Sequence, residues 1–268
     1  MSVWAVYGPK GTGKSSFALT FPGKKYVFDL EFGAARAWGF EDADKTVWKP
    51  NTQKIKTMLT YKKGQLLQGM CERWQRFTEI YAEILTTSDH PVIVLDTHKE
   101  AWDWDAKAHL QELQEAQLEQ ARSKYAKDMP DEEIAQKINI RKSLIQIEYG
   151  IPNTRMNNLI DLARIHDKTL VLVNHERDDY VTVIRDGQPQ SVASGKKTLD
   201  GYSKTLDRAD WVLKTSAIDP VDGKGVVLCA VVEKSPVGLD LIGVSLRVPR
   251  MDYEALKLVV EAHGRKMI

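Results

Sequence analysis

Close to the start of the chain, three glycines, two lysines and two serines stand at fixed spacing in Gly8-Pro9-Lys10-Gly11-Thr12-Gly13-Lys14-Ser15-Ser16. The first eight residues fit G-x-x-x-x-G-K-[ST] without a gap. Each residue type there has a chemical reason. Gly8, Gly11 and Gly13 open backbone conformations closed to other residues and bring N–H groups close to oxyanions. A helix starting near Gly13 turns free N–H groups and the positive end of its dipole toward the same anion. Lys14 can reach the β- and γ-phosphates, and the Ser15 hydroxyl can ligate Mg²⁺. The expected ligand is therefore ATP with Mg²⁺, held by residues 8–16.

A phosphate loop of this kind needs a carboxylate at the end of a buried strand to hold the Mg²⁺ shell. Pro91-Val-Ile-Val-Leu-Asp96-Thr97 supplies one, with four apolar residues leading into Asp96. A strand-ending aspartate is also a common helix cap, but beside the loop the metal role is the better reading. Two further strand-like runs end in polar residues: Lys24–Glu31 in Asp29 and Glu31, and Lys168–Glu176 in Asn174, His175 and Glu176. Ligands of open α/β sheets gather at the carboxyl ends of strands, so both clusters can face the loop. A glutamate there can orient or deprotonate water, and Asn174 or His175 can sense a γ-phosphate. For His175, a satisfied histidine at a strand end is an equally good reading.

These residues need a scaffold that places several strand ends in one row. Val3–Tyr7 reads as a short buried strand and Ser15–Phe21 as a helix stopped by Pro22-Gly23. Short, fully apolar runs such as Val92–Leu95 suit parallel strands covered on both faces. The fold class is thus α/β, with a mostly parallel central sheet flanked by helices. The 268 residues, 43% hydrophobic and 28% charged, are ordinary for a globular chain. They read as one domain, 1–268, without repeats or low-complexity linkers. Net charge is only +1, so a nucleic-acid surface must be a local concentration of Lys and Arg. No apolar run spans a bilayer, and Met1 leads straight into a strand with no signal peptide. Cys71 and Cys229, distant in sequence, form no disulfide or zinc framework and suit a reducing compartment.

Residues 101–150 are charged and rich in Gln and Glu. Leu110, Leu113 and Ala121 make a thin apolar stripe. Ile134, Ile138 and Ile145 make a fuller one on a helix opened by Pro130 and closed by Gly150. The spacing predicts an inserted antiparallel helical hairpin over 101–150. Toward the C-terminus, Leu241–Pro249 reads as a last strand and Asp252–Ile268 as a terminal helix with basic Arg265 and Lys266 at its end.

The order phosphate loop, "FDLE", "TVW", Asp96, "VNHE", "ADWVLKT" and "VVLCAVVEKSP" resembles that of the RecA-like recombinase ATPases. It is most similar to the short phage nucleotide-binding and single-strand-annealing recombinases, from Val3 to about Pro236. Only the phosphate loop is highly specific; the other motifs rest on order and spacing. The resemblance implies a RecA-like core with C-terminal antiparallel strands, Glu31 as catalytic glutamate, Asp96 serving Mg²⁺ and Asn174-His175 as a polar switch. It also implies a DNA-lining loop at Glu176–Lys204, carrying Arg177, Arg185, Lys196, Lys197 and Lys204, with Tyr180 and Tyr202 for base stacking. Within it "YVTVI" and "RDGQ" suit a β-hairpin, whereas Asp178, Asp179 and Asp186 suit a merely solvated loop. Recombinases reach a neighbour's nucleotide with a lysine-x-lysine motif, and "VVEKSP" offers Lys234 there, one residue displaced. Their N-terminal subunit linker has no counterpart ahead of residue 3.

Two functions follow. The leading expectation is a Mg²⁺-ATP-dependent ATPase that binds single-stranded DNA and promotes annealing or strand exchange in phage recombination. Its expected partners are single-stranded DNA, further copies of the chain in a filament or ring, and a single-strand-binding protein. Its place is the cytoplasm of the bacterial host, with no membrane partner. The alternative is a nucleotide-dependent assembly switch that docks a protein through the helical insertion.

Overall fold

A computed structural model describes residues 1–50, 66–125, 129–185, 188–218 and 227–267. The chain divides into two compact units, one of residues 1–48, 89–99 and 163–268, the other of 49–88 and 100–162.

The first unit is built on a sheet. Its strands are β1 (Val3–Gly8), β2 (Lys25–Asp29), β3 (Lys45–Trp48), β4 (Val92–Asp96), β5 (Thr169–Arg185), β6 (Gln188–Leu199), β7 (Trp211–Ile218), β8 (Val227–Lys234) and β9 (Ser245–Val248). They lie in the order β3-β2-β4-β5-β1-β7-β8-β9, with β6 paired to β5 alone. Pairings from β3 through β7 are parallel, while β7-β8 and β8-β9 are antiparallel. The central sheet is therefore mostly parallel. β1 and β4 are buried along their whole length, as their unbroken apolar runs require.

Beneath the sheet, Trp4 stacks on Trp211 with ring centroids 4.7 Å apart. Phe17 of α1 (Lys14–Leu19), Phe21 and Tyr253 close around Trp4. Leu256 and Val260 of α7 (Tyr253–Ala262) join the same core. This apolar mass fixes α1, and with it the phosphate loop, against β1.

The second unit is helical. It contains α2 (Met70–Thr87), most of α3 (His98–Arg122), α4 (Asp131–Lys137) and most of α5 (Gly150–Ile165). Leu118, Ala121, Ile134, Ala135 and Ile140 form its small core. The helix expected from Pro130 to Gly150 is far shorter than its apolar stripe suggested. It stops at Lys137, with Asn139 in the left-handed region at φ 48°. The Ile140 N–H then bonds the Ala135 carbonyl and the Asn139 N–H that of Gln136, at 2.9 and 3.2 Å. Those paired bonds, with Ile140 and Ala135 both buried, are a Schellman stop. Ile145, expected on the core stripe, is 61% exposed. Residues 126–128 of the insertion lie outside the described residues. No described helix is long and apolar enough to cross a membrane.

Candidate functional site

The parallel register aligns the polar strand ends in one row. Asp29 is opposite Asp96, Asp96 opposite Val173, and Gly8 opposite His175. Along this edge opens a cavity of about 410 Å³, lined by residues 10–16, Glu31, Gly33, Arg36, Ala37, Trp38, Asp96, Thr97, Val173, His175 and Leu228. Its volume suits a small organic ligand.

The loop is stapled to the sheet. Thr12 Oγ1 donates to the Pro9 carbonyl at 2.8 Å and lies 2.7 Å from Thr215 Oγ1 on β7. A β-carbon on Gly8 would stand 2.2 Å from the Thr215 carbonyl oxygen, so only glycine lets the strands approach this closely. Thr12, predicted as a phosphate contact, therefore spends its hydroxyl on the loop. Lys14 is buried, and its ammonium donates to the carbonyls of Gly8 and Pro9. Burial pulls its pKa down to about 8, against the pull of Asp96, Glu176 and Glu31. Ser15 is half-buried at the start of α1, and Ser16 is buried behind it. Lys10 and Gly11 stand exposed at the cavity, and Pro9 before them is exposed without lining it.

Asp96 is 6% exposed, and burial raises its carboxyl to about 6, against a hydrogen bond from Ser15 and the charge of Lys14. Glu31 reaches the cavity from the other side. Its Oε1 accepts from Thr97 Oγ1 at 3.0 Å, and its Oε2 lies 3.1 Å from His175 Nε2. The His175 hydrogen bond is the main reason that Glu31 is held below the usual carboxylate range. The carboxylate is thus ionised, oriented from two sides and open to the cavity. The Asp96–Thr97 peptide is cis.

Asp29 stands apart from this chemistry. Fully buried, it accepts the backbone N–H groups of Gly33 and Ala34 at 2.7 and 3.1 Å. It pins the turn that follows β2, where Phe32 takes φ 58° before a short 3-10 stretch, Ala34–Arg36. That turn carries Arg36, Ala37 and Trp38 to the cavity. The Trp38 ring is 45% exposed, with the Arg250 guanidinium stacked 4.5 Å from its centroid. Trp38, Ala37 and Leu228 add apolar surface to the cavity lining, Leu228 lying close to Gly13 of the loop. Sequence reading missed these residues, Thr97 and Thr215; nearness to the carboxyl end of β2 was the only signal for Arg36 and Trp38.

Several expected residues are placed differently. Asn174 is fully buried, and its Oδ1 accepts the Lys99 N–H at 3.0 Å at the start of α3. It supports that turn, and of the pair only His175 lines the cavity. Strand alternation sends the two neighbours to opposite faces. Tyr202 is 1% exposed, so it offers no stacking surface, while Tyr180 is 59% exposed. The Lys234 ammonium donates to the Asp207 and Leu206 carbonyls, at 2.7 and 3.4 Å, in α6 (Thr205–Arg208). It closes a helix end of its own chain.

The expected hairpin forms. β5 leaves the sheet after His175 and pairs with β6 from Glu176 to Arg185, with a register shift between Asp178 and Tyr180. Asp186 and Gly187 of its tip lie outside the described residues. Arg177, Arg185 and Lys196 are exposed, Lys197 is paired with Asp178 at 2.7 Å, and Lys204 is exposed beyond the hairpin.

Residues 2–214 match the family model described as an AAA domain. No curated protein matches the chain. The match starts at the first strand, ends in β7 and takes in all the cavity's lining residues except Leu228. By that match the chain belongs to the AAA domain family, whose members are nucleotide-dependent ATPases.

Proposed function

We propose that the protein hydrolyses Mg²⁺-ATP in this cavity and couples the nucleotide's state to single-stranded DNA held by the β5-β6 hairpin. Annealing or strand exchange, in phage recombination, is the work to which this coupling is put, and that assignment rests on the order of motifs. One observation carries the reading: β5 is continuous from the buried sheet, through His175 against Glu31, into the exposed hairpin. A change at the cavity that moves His175 moves the root of the hairpin.

Metal fit is favourable. Ser15 offers a hydroxyl and Asp96 a nearly buried carboxylate in hydrogen-bond reach of it. Among the described residues no cluster of three or more His, Cys, Asp or Glu could hold a metal alone. Mg²⁺ takes one or two protein oxygens and completes its shell with phosphates and water, so Ser15 and Asp96 suffice for it. Bound there, it would neutralise phosphate charge. Lys14 adds a second cation, the loop N–H groups bind the phosphate oxygens, and Glu31 positions the attacking water. The exposed Trp38 ring offers a face for the nucleoside. DNA work draws support from the unpaired Arg177, Arg185 and Lys196, which have no acceptor among the described residues. Fluorescence anisotropy of labelled single-stranded DNA tests it. ATP-dependent binding that is lost in the triple alanine variant at those positions is expected; binding indifferent to both ATP and the triple change contradicts the reading.

A second reading, a protein-docking switch, is favoured by the helical unit. Ile145, Ile147 and Ile151 are 61, 81 and 48% exposed within seven residues. Apolar exposure of that density is unusual for a surface with no partner. It predicts hydrolysis insensitive to DNA.

A further inference from the structure

The cavity holds a guanidinium that neither the phosphate-loop motif nor the Glu31–His175 pair accounts for. Arg36 lines it, and its side chain has no acceptor among the described residues. It is nonetheless held in place. Its backbone N–H bonds the Gly33 carbonyl at 3.0 Å, in the turn that buried Asp29 pins. The guanidinium lies over Gly33, where a β-carbon would stand 3.3 Å from Nη2. The missing side chain at 33 therefore leaves the fork its path. Glu31, Gly33, Arg36, Ala37 and Trp38 line the same cavity as the phosphate loop. A nucleoside triphosphate laid along the loop shares that space with the guanidinium.

Charge points the same way. Lys10, Lys14 and Arg36 face the cavity against Glu31 and Asp96. Lys14 is committed to two loop carbonyls and Glu31 to Thr97 and His175. Arg36 and Lys10 are left with their donors unspent among the described residues, and of the two only Arg36 has a planar fork, which matches a phosphate's oxygens better than any other group a nucleotide offers.

We propose that Arg36 grips the polyphosphate chain of the bound nucleotide from its own subunit, as a binding and positioning residue outside the phosphate-loop motif. The proposal rests on the nucleotide-binding reading of the cavity, and its test separates the two. Titration calorimetry with excess Mg²⁺ would measure ATP and inorganic tripolyphosphate binding to the full chain, to Arg36→Ala and to Arg36→Lys. Tripolyphosphate has no nucleoside, so it reports the phosphate grip alone. Loss of a charge-assisted hydrogen bond to phosphate should weaken both ligands by roughly ten- to a hundredfold in Arg36→Ala. Lysine, a point charge without the fork, should recover part of it. Because Arg36 is exposed and unpaired, the thermal midpoint of all three proteins should coincide. Wild-type affinity of Arg36→Ala for tripolyphosphate overturns the proposal, whether or not ATP is weakened. Binding of neither ligand by the wild-type chain overturns the nucleotide reading and the proposal with it.

Discussion

Lys14 is a cation with little solvent, held on the carbonyls of its own loop and with its pKa drawn down to about 8. A polyphosphate binds the charged form and so favours protonation. Above pH 8 the free protein must take up a proton to bind, and nucleotide affinity should fall up to tenfold per pH unit. Calorimetry in buffers of different ionisation enthalpy would show that uptake above pH 8 and little of it at pH 7. Lys14→Ala should lose nucleotide binding at every pH. Glu31 makes a different prediction, because it is ionised, oriented and outside the loop. Glu31→Gln should bind ATP like wild type while hydrolysis falls by about a hundredfold or more, as single-turnover rates would register. A variant that hydrolyses normally would remove Glu31 from the chemistry.

Turns and strand ends deliver these side chains. The Gly33–Arg36 turn hangs on Asp29, whose carboxylate accepts two backbone N–H groups away from water. Asp29→Ala should cost about 1–3 kcal/mol in denaturant unfolding by orphaning those donors, and should weaken ATP binding through Arg36 and Trp38. The hairpin gives a salt-dependent prediction. Three fewer cations on the strand, in the Arg177, Arg185 and Lys196 triple alanine variant, should flatten log K against log salt by roughly 2. An unchanged slope would put the DNA path elsewhere. The phosphate loop, Asp96 and the parallel core were legible in the sequence because each is written in consecutive residues. Asn174 and His175 show where that stops: neighbours on a strand face opposite sides, and only the register with β1 says which side is the cavity. The Asn139 stop escaped notice because an apolar stripe says nothing of a left-handed residue that ends the helix beneath it.

Across the whole molecule, the features that were not legible are those made by distant segments meeting. Thr12 finds Thr215, 203 positions away, and Trp38 finds Arg250. Such approaches leave no local pattern. Tyr202 belongs to the segment expected to line DNA, yet it is 1% exposed, and no local pattern announces that burial. At this scale, the proposed function joins a nucleotide cavity at the sheet's carboxyl edge to a hairpin grown from one of its strands. Net charge of +1 gives no general attraction for DNA, so the coupling must be specific. The measurement that tests it most directly is steady-state ATP hydrolysis with and without single-stranded DNA, with Lys14→Ala as control, at low and moderate salt. The account predicts Lys14-dependent hydrolysis that DNA stimulates severalfold and that salt weakens. Hydrolysis that needs Lys14 yet is the same with and without DNA would contradict the coupling and leave the exposed isoleucines of the helical unit as the surface to pursue.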